Sequence, residues 1–259
     1  MNDSHLVYQV KDNVAYFTIN REPHRNAISI AALKLFHAYL DHAQTDADVR
    51  AICITGAGER AFCSGADLGG GMGSDPSVAM AAFKNYARLL KRLSGFPKPT
   101  VARVNGACIA GGTGFMLACD IVIASSKATF GTPEVNVGLF PMMIGALIFR
   151  NVLRKKAMEM VLLGEKLSAR QALEMGMVTR VVEPEDLDIE VEKVLSALVT
   201  KSPIGMKIGK EAFYASADMT FEQALDLLAE KLGEVVSTQD AVEGITAFIE
   251  KRTPVFKGK

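Results

Sequence analysis

The chain is poor in the residues that most hydrolytic chemistry needs. Its four histidines, His5, His24, His37 and His42, all fall within the first sixth of the 259 residues. No HExxH, GxSxG or GxxxxGK[ST] occurs anywhere, which argues against a zinc hydrolase, an α/β-hydrolase and a P-loop nucleotidase. No apolar run reaches the roughly 18 residues of a membrane span. The N-terminal "MNDSHLVYQVKDNVAYF" lacks the basic-then-apolar order of a signal peptide. Four cysteines, Cys53, Cys63, Cys108 and Cys119, are dispersed without a CxxC pair. Reduced thiols in a cytoplasmic protein are the plain expectation, and a metal site is not. An excess of either charge is missing too, since 29 Lys and Arg balance 29 Asp and Glu. That balance disfavours nucleic acid as a partner but permits a local basic patch for one phosphorylated ligand. "GGGMG" at 69–73 does not follow a strand, so it reads as a surface loop rather than a dinucleotide site.

What is present is a strand–turn–helix rhythm. "LVYQV" and "VAYFTIN" are β-branched runs parted by "KDN", a hairpin. Ser29 precedes a helix whose Ile30, Leu33, Phe36 and Leu40 share one face. "VRAICITGAG" is a buried strand, and "FCSGADLGGGMGSD" is a loop leading to a helix with Met80, Phe83, Leu90 and Leu93 on one face. "PTVARVNG" is strand and turn, "GGTGFMLA" opens a helix, "CDIVIAS" is a strand, and "ATFGTPEVNVGLFP" passes from strand to loop. The rhythm predicts a layered α/β or α+β core of repeated units. From about Pro141 the segments read mostly as helices, broken by "MVTRVVE". We expect a core over 1–200 and a helical region over 201–259. In the latter, Phe221, Leu225, Leu228, Leu232 and Val235 form a stripe suited to packing or to a subunit contact.

"ACIAGGTGFMLACD", from Ala107 to Asp120, holds no charge before its last residue. If a helix opens at Gly111, the amides of Gly111 and Gly112 are among its unpaired donors, and the helix dipole favours a negatively charging oxygen there. The alternative is that these glycines only permit tight helix-to-sheet packing. "CSGADL" has the same setting, so the Ala66 amide is a candidate second donor for an oxyanion hole. The acid is sought elsewhere. Glu134 stands alone in a neutral stretch from Ala128 to Phe149, where burial would raise its pKa as a proton shuttle requires. A loop glutamate satisfied by nearby amides is the other reading. Asp120 reads as a structural acceptor and Asp67 as the cap of the following helix.

"HRNAIS", "AFCSGADL", "VNGACIAGGTGFMLACDIVIAS", "ATFGTPEVNVGLFP" and "GEKLSARQALEMGMVTRVV", in this order, closely resemble the crotonase superfamily, the enoyl-CoA hydratases and isomerases. The resemblance runs from about Val7 to the C-terminal "AFIEKRTPVFKGK". It implies a spiral of ββα units and a helical C-terminal region that builds a homotrimer or homohexamer. It also implies an acyl-CoA substrate, no cofactor beyond the coenzyme A of that substrate, and a thioester oxygen held by the amides of Ala66 and Gly111. Arg25, Ala27, Ser64, Asp67 and Leu68 would border the CoA pocket, with Phe248 and Lys251 of a neighbouring subunit closing over its nucleotide end. Family hydratases use two glutamates; the second maps onto Glu134, the first onto Gly114, which has no side chain to offer. Isomerisation of an enoyl-CoA by Glu134 alone, or a related enolate reaction such as decarboxylation, is the expectation. Hydration with a substitute acid, and acyl-CoA binding without turnover, are the alternatives. "GLFPMMIGALIF" is either an apolar acyl pocket or helix core.

Overall fold

The computed structural model describes residues 4–67 and 76–259. Ten strands run in chain order: β1 Leu6–Lys11, β2 Val14–Ile19, β3 Ala51–Gly56, β4 Ala61–Cys63, β5 Thr100–Val104, β6 Ala107–Ile109, β7 Ile121–Ser125, β8 Thr129–Gly131, β9 Leu167–Ser168 and β10 Arg180–Val182. The helices are α1 Ile30–Thr45, α2 Pro76–Ser94, α3 Gly111–Leu117, α4 Met142–Asn151, α5 Arg154–Leu163, α6 Ala169–Glu174, α7 Leu187–Val199, α8 Pro203–Ser216, α9 Phe221–Val236 and α10 Gln239–Ile249.

Two sheets share these strands. The larger has the order β1-β2-β3-β5-β7-β10 and the smaller β4-β6-β8-β9. From β3 to β8 successive strands alternate between the sheets, so each repeat gives one strand to each sheet before its helix. Pairing within each sheet is parallel except at β1–β2 and β8–β9. This is the expected spiral of ββα units. The β1–β2 turn uses Asp12 and Asn13 at φ 50° and 62°, the left-handed pair that a two-residue hairpin of native twist demands.

Strand alternation divides the core. Ala15, Phe17, Ile52, Ile54 and Ala102 face the main core with α1, α2 and α3. Val14, Ala51, Cys53, Val101 and Ile123 face the other way, under Leu187, Val191, Val194 and Leu195 of α7. The larger sheet is thus covered on both faces, as parallel sheets require. Phe17, Phe36 and Phe115 stack through the main core at centroid distances of 6.0 and 5.1 Å, each worth about 1.5–3 kcal/mol of burial. All four cysteines are buried free thiols; burial pushes those of Cys53 and Cys63 up to about 12.

Ser29 caps α1, accepting the Ala32 amide at 3.1 Å, and Leu33, Phe36 and Leu40 are buried. Asp120 is the expected acceptor. Its Oδ2 takes the amide and hydroxyl of Thr100 at 2.7 and 2.9 Å and pairs with Lys210. One expectation needs correction. Of the four α2 residues expected on one apolar face, Leu90 and Leu93 are buried, while Met80 and Phe83 are 52% and 39% exposed. Periodicity identifies an apolar face but not what covers it. The α9 stripe is open in part: Phe221, Leu225 and Leu232 are exposed in the single chain, while Leu228 and Val235 are partly buried and α9 packs on α8. "GGGMG" at 69–73 lies outside the described residues. Among the described residues no helix is long and apolar enough to cross a membrane.

Asn26 is the polar staple of this core. Fully buried and at φ 57°, it accepts the Arg21 amide at 3.0 Å and donates to the carbonyls of Ala57 and Ala61 at 3.0 and 2.7 Å. Asn26→Ala should cost about 2–4 kcal/mol, because three backbone groups, one of them buried and two part-buried, lose the Asn26 side chain at a left-handed position. Urea unfolding measures this; a loss under about 0.5 kcal/mol would contradict it.

Candidate active site

Two loops zip together on one side of the spiral. The Ser64 amide donates to Arg25 O at 3.2 Å, the Ile28 amide to Gly65 O at 2.8 Å, and the Asp67 amide to Ile28 O at 3.0 Å. Ile28 and Ala66 therefore form a parallel bridge. In such a bridge the bonds go to the residues flanking Ala66, so its own N–H points to the opposite edge. Arg21 locks the arrangement, pairing with Asp67 at 2.7 Å and donating to Ala27 O at 2.7 Å. Asp67 is thus an ion-pair partner of Arg21, and α2 begins only at Pro76, too far along for Asp67 to cap it. Arg21 was missed in the sequence because its partner lies 46 positions away. Arg25, Ala27, Ser64, Ala66 and Asp67 are brought together by these bonds; Leu68 lies outside the described residues.

The open edge of Ala66 faces the start of α3. Ala110, the residue before that helix, has φ 52° and ψ −124°, a strained backbone for a residue with a side chain. The Gly131 carbonyl is taken by the Ala110 N–H at 2.9 Å. Among the described residues neither the Ala66 nor the Gly111 amide has a backbone acceptor. A Cβ on Gly111 would lie 3.7 Å from the Ala66 nitrogen, in the space between the two donors. The glycines divide the two readings between them. At Gly112 a Cβ would collide with the Cys63 carbonyl oxygen, so this residue serves close packing, while Gly111 presents its amide.

Glu134 sits on a 3-10 turn, Pro133–Val137, that follows β8. It is half-buried, and its Oε2 is buried with no hydrogen-bond partner among the described residues. Burial raises its pKa, opposed only in part by a backbone hydrogen bond. The reading of a loop glutamate satisfied by amides therefore fails for that oxygen. A buried ionisable oxygen without a partner is an acid–base candidate.

Gly114 is buried, and its surroundings are full. A Cβ there would collide with Tyr86 Oη of α2 and Ile144 Cγ2 of α4. Ile144 and Ile148 of α4 are core, whereas Leu139, Phe140 and Met142 just before them are exposed. "GLFPMMIGALIF" is therefore part core and part open apolar surface. Phe248 and Lys251 stand at the end of α10, which packs on α8 and α9; Phe248 is 85% exposed. Among the described residues no three His, Cys, Asp or Glu side chains are grouped to hold a metal ion.

The alternating two-sheet spiral with its helical tail defines a protein of the crotonase type. A family model for enoyl-CoA hydratase/isomerase matches residues 9–259. A probable enoyl-CoA hydratase of Bacillus subtilis (strain 168) is 38% identical over 251 residues, 95% of this chain and 96% of that one. The 2,3-dehydroadipyl-CoA hydratase of Escherichia coli (strain K12) is 35% identical over 260 residues, 99% of this chain and all of that one. The crystal structure of enoyl-CoA hydratase from Bacillus anthracis superposes with a TM-score of 0.95 at 30% identity, covering 98% of this chain and 100% of that one. The chain belongs to the enoyl-CoA hydratase/isomerase family and is an enzyme of it.

A carboxylate raised by burial is a cost to the folded state, absent when it is protonated in both states and fully present above its folded pKa. Glu134→Gln should therefore raise the melting temperature at pH 7, and the gain should vanish as pH falls below the ordinary glutamate range near 4.5. Thermal unfolding across pH checks the sign. A variant less stable at pH 7 would mean that Glu134 is a structural acceptor.

Proposed function

We propose that the enzyme binds an enoyl-CoA with its thioester oxygen between the Ala66 and Gly111 amides and shifts the double bond, with Glu134 as the single acid and base. The closed space at Gly114 carries this reading, set beside one half-buried carboxylate with an unpartnered oxygen. From a 3-enoyl thioester, Glu134 takes a proton from the α-carbon, and the C–H electrons pass into a dienolate. The two amides meet the charge developing on the thioester oxygen, an arrangement worth about 3–4 kcal/mol per well-placed donor. Glu134 then returns the proton at the γ-carbon, leaving the 2-enoyl thioester. Nothing is oxidised and no water is consumed, so the reaction calls for no cofactor beyond the coenzyme A of the substrate.

In this reading Arg25, Ala27, Ser64 and Asp67 border the CoA arm, and the exposed Leu139, Phe140 and Met142 meet the acyl chain. Assembly as a homotrimer or homohexamer would cover the open apolar stripe of α9 and bring Phe248 and Lys251 of the partner subunit over the nucleotide end. The names of the relatives favour a second reading, hydration of a 2-enoyl-CoA. It requires another group to do the work of a carboxylate at position 114.

Incubation with trans-2- and trans-3-enoyl-CoAs of several lengths, with products identified by mass, tests the choice. Positional isomers without mass gain are expected; a product heavier by one water would overturn isomerisation in favour of hydration. Glu134→Gln should lower turnover about 10²–10⁴-fold while acyl-CoA affinity persists. Turnover unchanged in this variant would remove Glu134 from the chemistry. In the wild type kcat/KM should fall in acid, because the abstracting form is the carboxylate, and the midpoint should lie above the ordinary glutamate value.

A further inference from the structure

The neighbour that fills the space beside Gly114 is a phenol, and its hydroxyl is not idle. Tyr86 Oη donates to the Gly111 carbonyl oxygen at 2.5 Å. Its ring lies edge-on to Phe115 of α3 at 5.4 Å, so the side chain is held at both ends against the helix that carries the Gly111 amide. A Cβ on Gly111 would be 3.5 Å from Tyr86 Oη, which places the hydroxyl at the rim of the gap between the two amides. Tyr86 therefore touches two parts of the arrangement: the donor residue and the closed position 114.

We infer that Tyr86 is a positioning and specificity-determining residue: it pins Gly111 so that its amide faces the cleft, and with Ile144 it closes the place at Gly114 to a carboxylate. The first half stands on the hydrogen bond to Gly111 O. The second half rests on the isomerase reading above, for it explains why no activated water is held to add to the β-carbon of the 2-enoyl thioester once Glu134 has reprotonated the dienolate. The closure is steric. Even the first carbon of a glutamate at 114 would overlap Tyr86 Oη and Ile144 Cγ2, so restoring a second carboxylate needs those two walls to move as well.

The two halves have separate tests. Tyr86→Phe keeps the ring and removes only the bond to Gly111 O. We expect kcat to fall about 5- to 10-fold, the factor of one neutral hydrogen bond, with KM within about twofold. Acetoacetyl-CoA supplies a readout independent of turnover, because its enolate absorbs in the near ultraviolet and is favoured by two converging amides. The enolate fraction on the variant should fall in step with kcat. Unchanged kcat and an unchanged enolate band would overturn the positioning role. For closure, Gly114→Glu alone should yield no hydrated product. Gly114→Glu combined with Tyr86→Ala and Ile144→Ala should add water to a trans-2-enoyl-CoA. Hydration by the single variant with Tyr86 in place would overturn closure, as would a folded triple variant that adds no water. If the triple variant does not fold, the single variant decides closure alone. Should the wild type itself prove to be a hydratase, the isomerase reading fails, and the acetoacetyl-CoA band still decides whether Tyr86 positions Gly111.

Discussion

Where a side chain would stand on Gly112, the carbonyl oxygen of Cys63 is already present. This approach seats the first turn of α3 directly on the end of β4, and the candidate site depends on it. A helix one methyl group further out would carry the Gly111 amide away from Ala66. The approach also explains the backbone just before it. Ala110 is held at φ 52° because β6 must end, satisfy the Gly131 carbonyl and turn into the helix within two residues. Such a conformation costs about 1–3 kcal/mol and persists because β6, β8 and α3 surround it.

The second donor is placed by a different device. The parallel bridge between Ile28 and Ala66 spends the bonds of Gly65 and Asp67 on one side and leaves the Ala66 amide on the other. Arg21 and Asp67 close the loop over this bridge, with only 9% and 17% of their side chains exposed. Asn26 holds the same segment from below. One donor thus comes from the start of a helix and the other from an isolated bridge, on separate turns of the spiral. The candidate base, Glu134, comes from the next turn, after β8. A coiled architecture in which successive turns each contribute one loop allows such a site to be assembled from residues 23 to 68 positions apart.

Local signals in the sequence reached the elements that local chemistry decides. The β1–β2 hairpin was legible from "KDN", α1 from Ser29 and its apolar spacing, and Glu134 from its isolation in a neutral stretch. The amides of Gly111 and Ala66 were legible as candidates, although no spacing could say that they stand near each other. What escaped were partners fixed by tertiary contact. Arg21 meets Asp67 only after the bridge forms, and Tyr86 meets Gly111 only once α2 has packed on α3. Met80 and Phe83 misled for the complementary reason. Their periodicity is real, but α2 extends past the core that covers Leu90 and Leu93. The family resemblance supplied the spiral and the meaning of Gly114, and the structure supplied what fills the space beside it.

A single base that takes and returns one proton is the central claim, and isotopic transfer tests it most directly. A trans-3-enoyl-CoA deuterated at the α-carbon would be converted in ordinary water and the product examined for label at the γ-carbon. The account predicts a 2-enoyl-CoA that keeps part of the deuterium at that carbon, carried there by Glu134. A 3-hydroxyacyl-CoA whose oxygen came from solvent would contradict it.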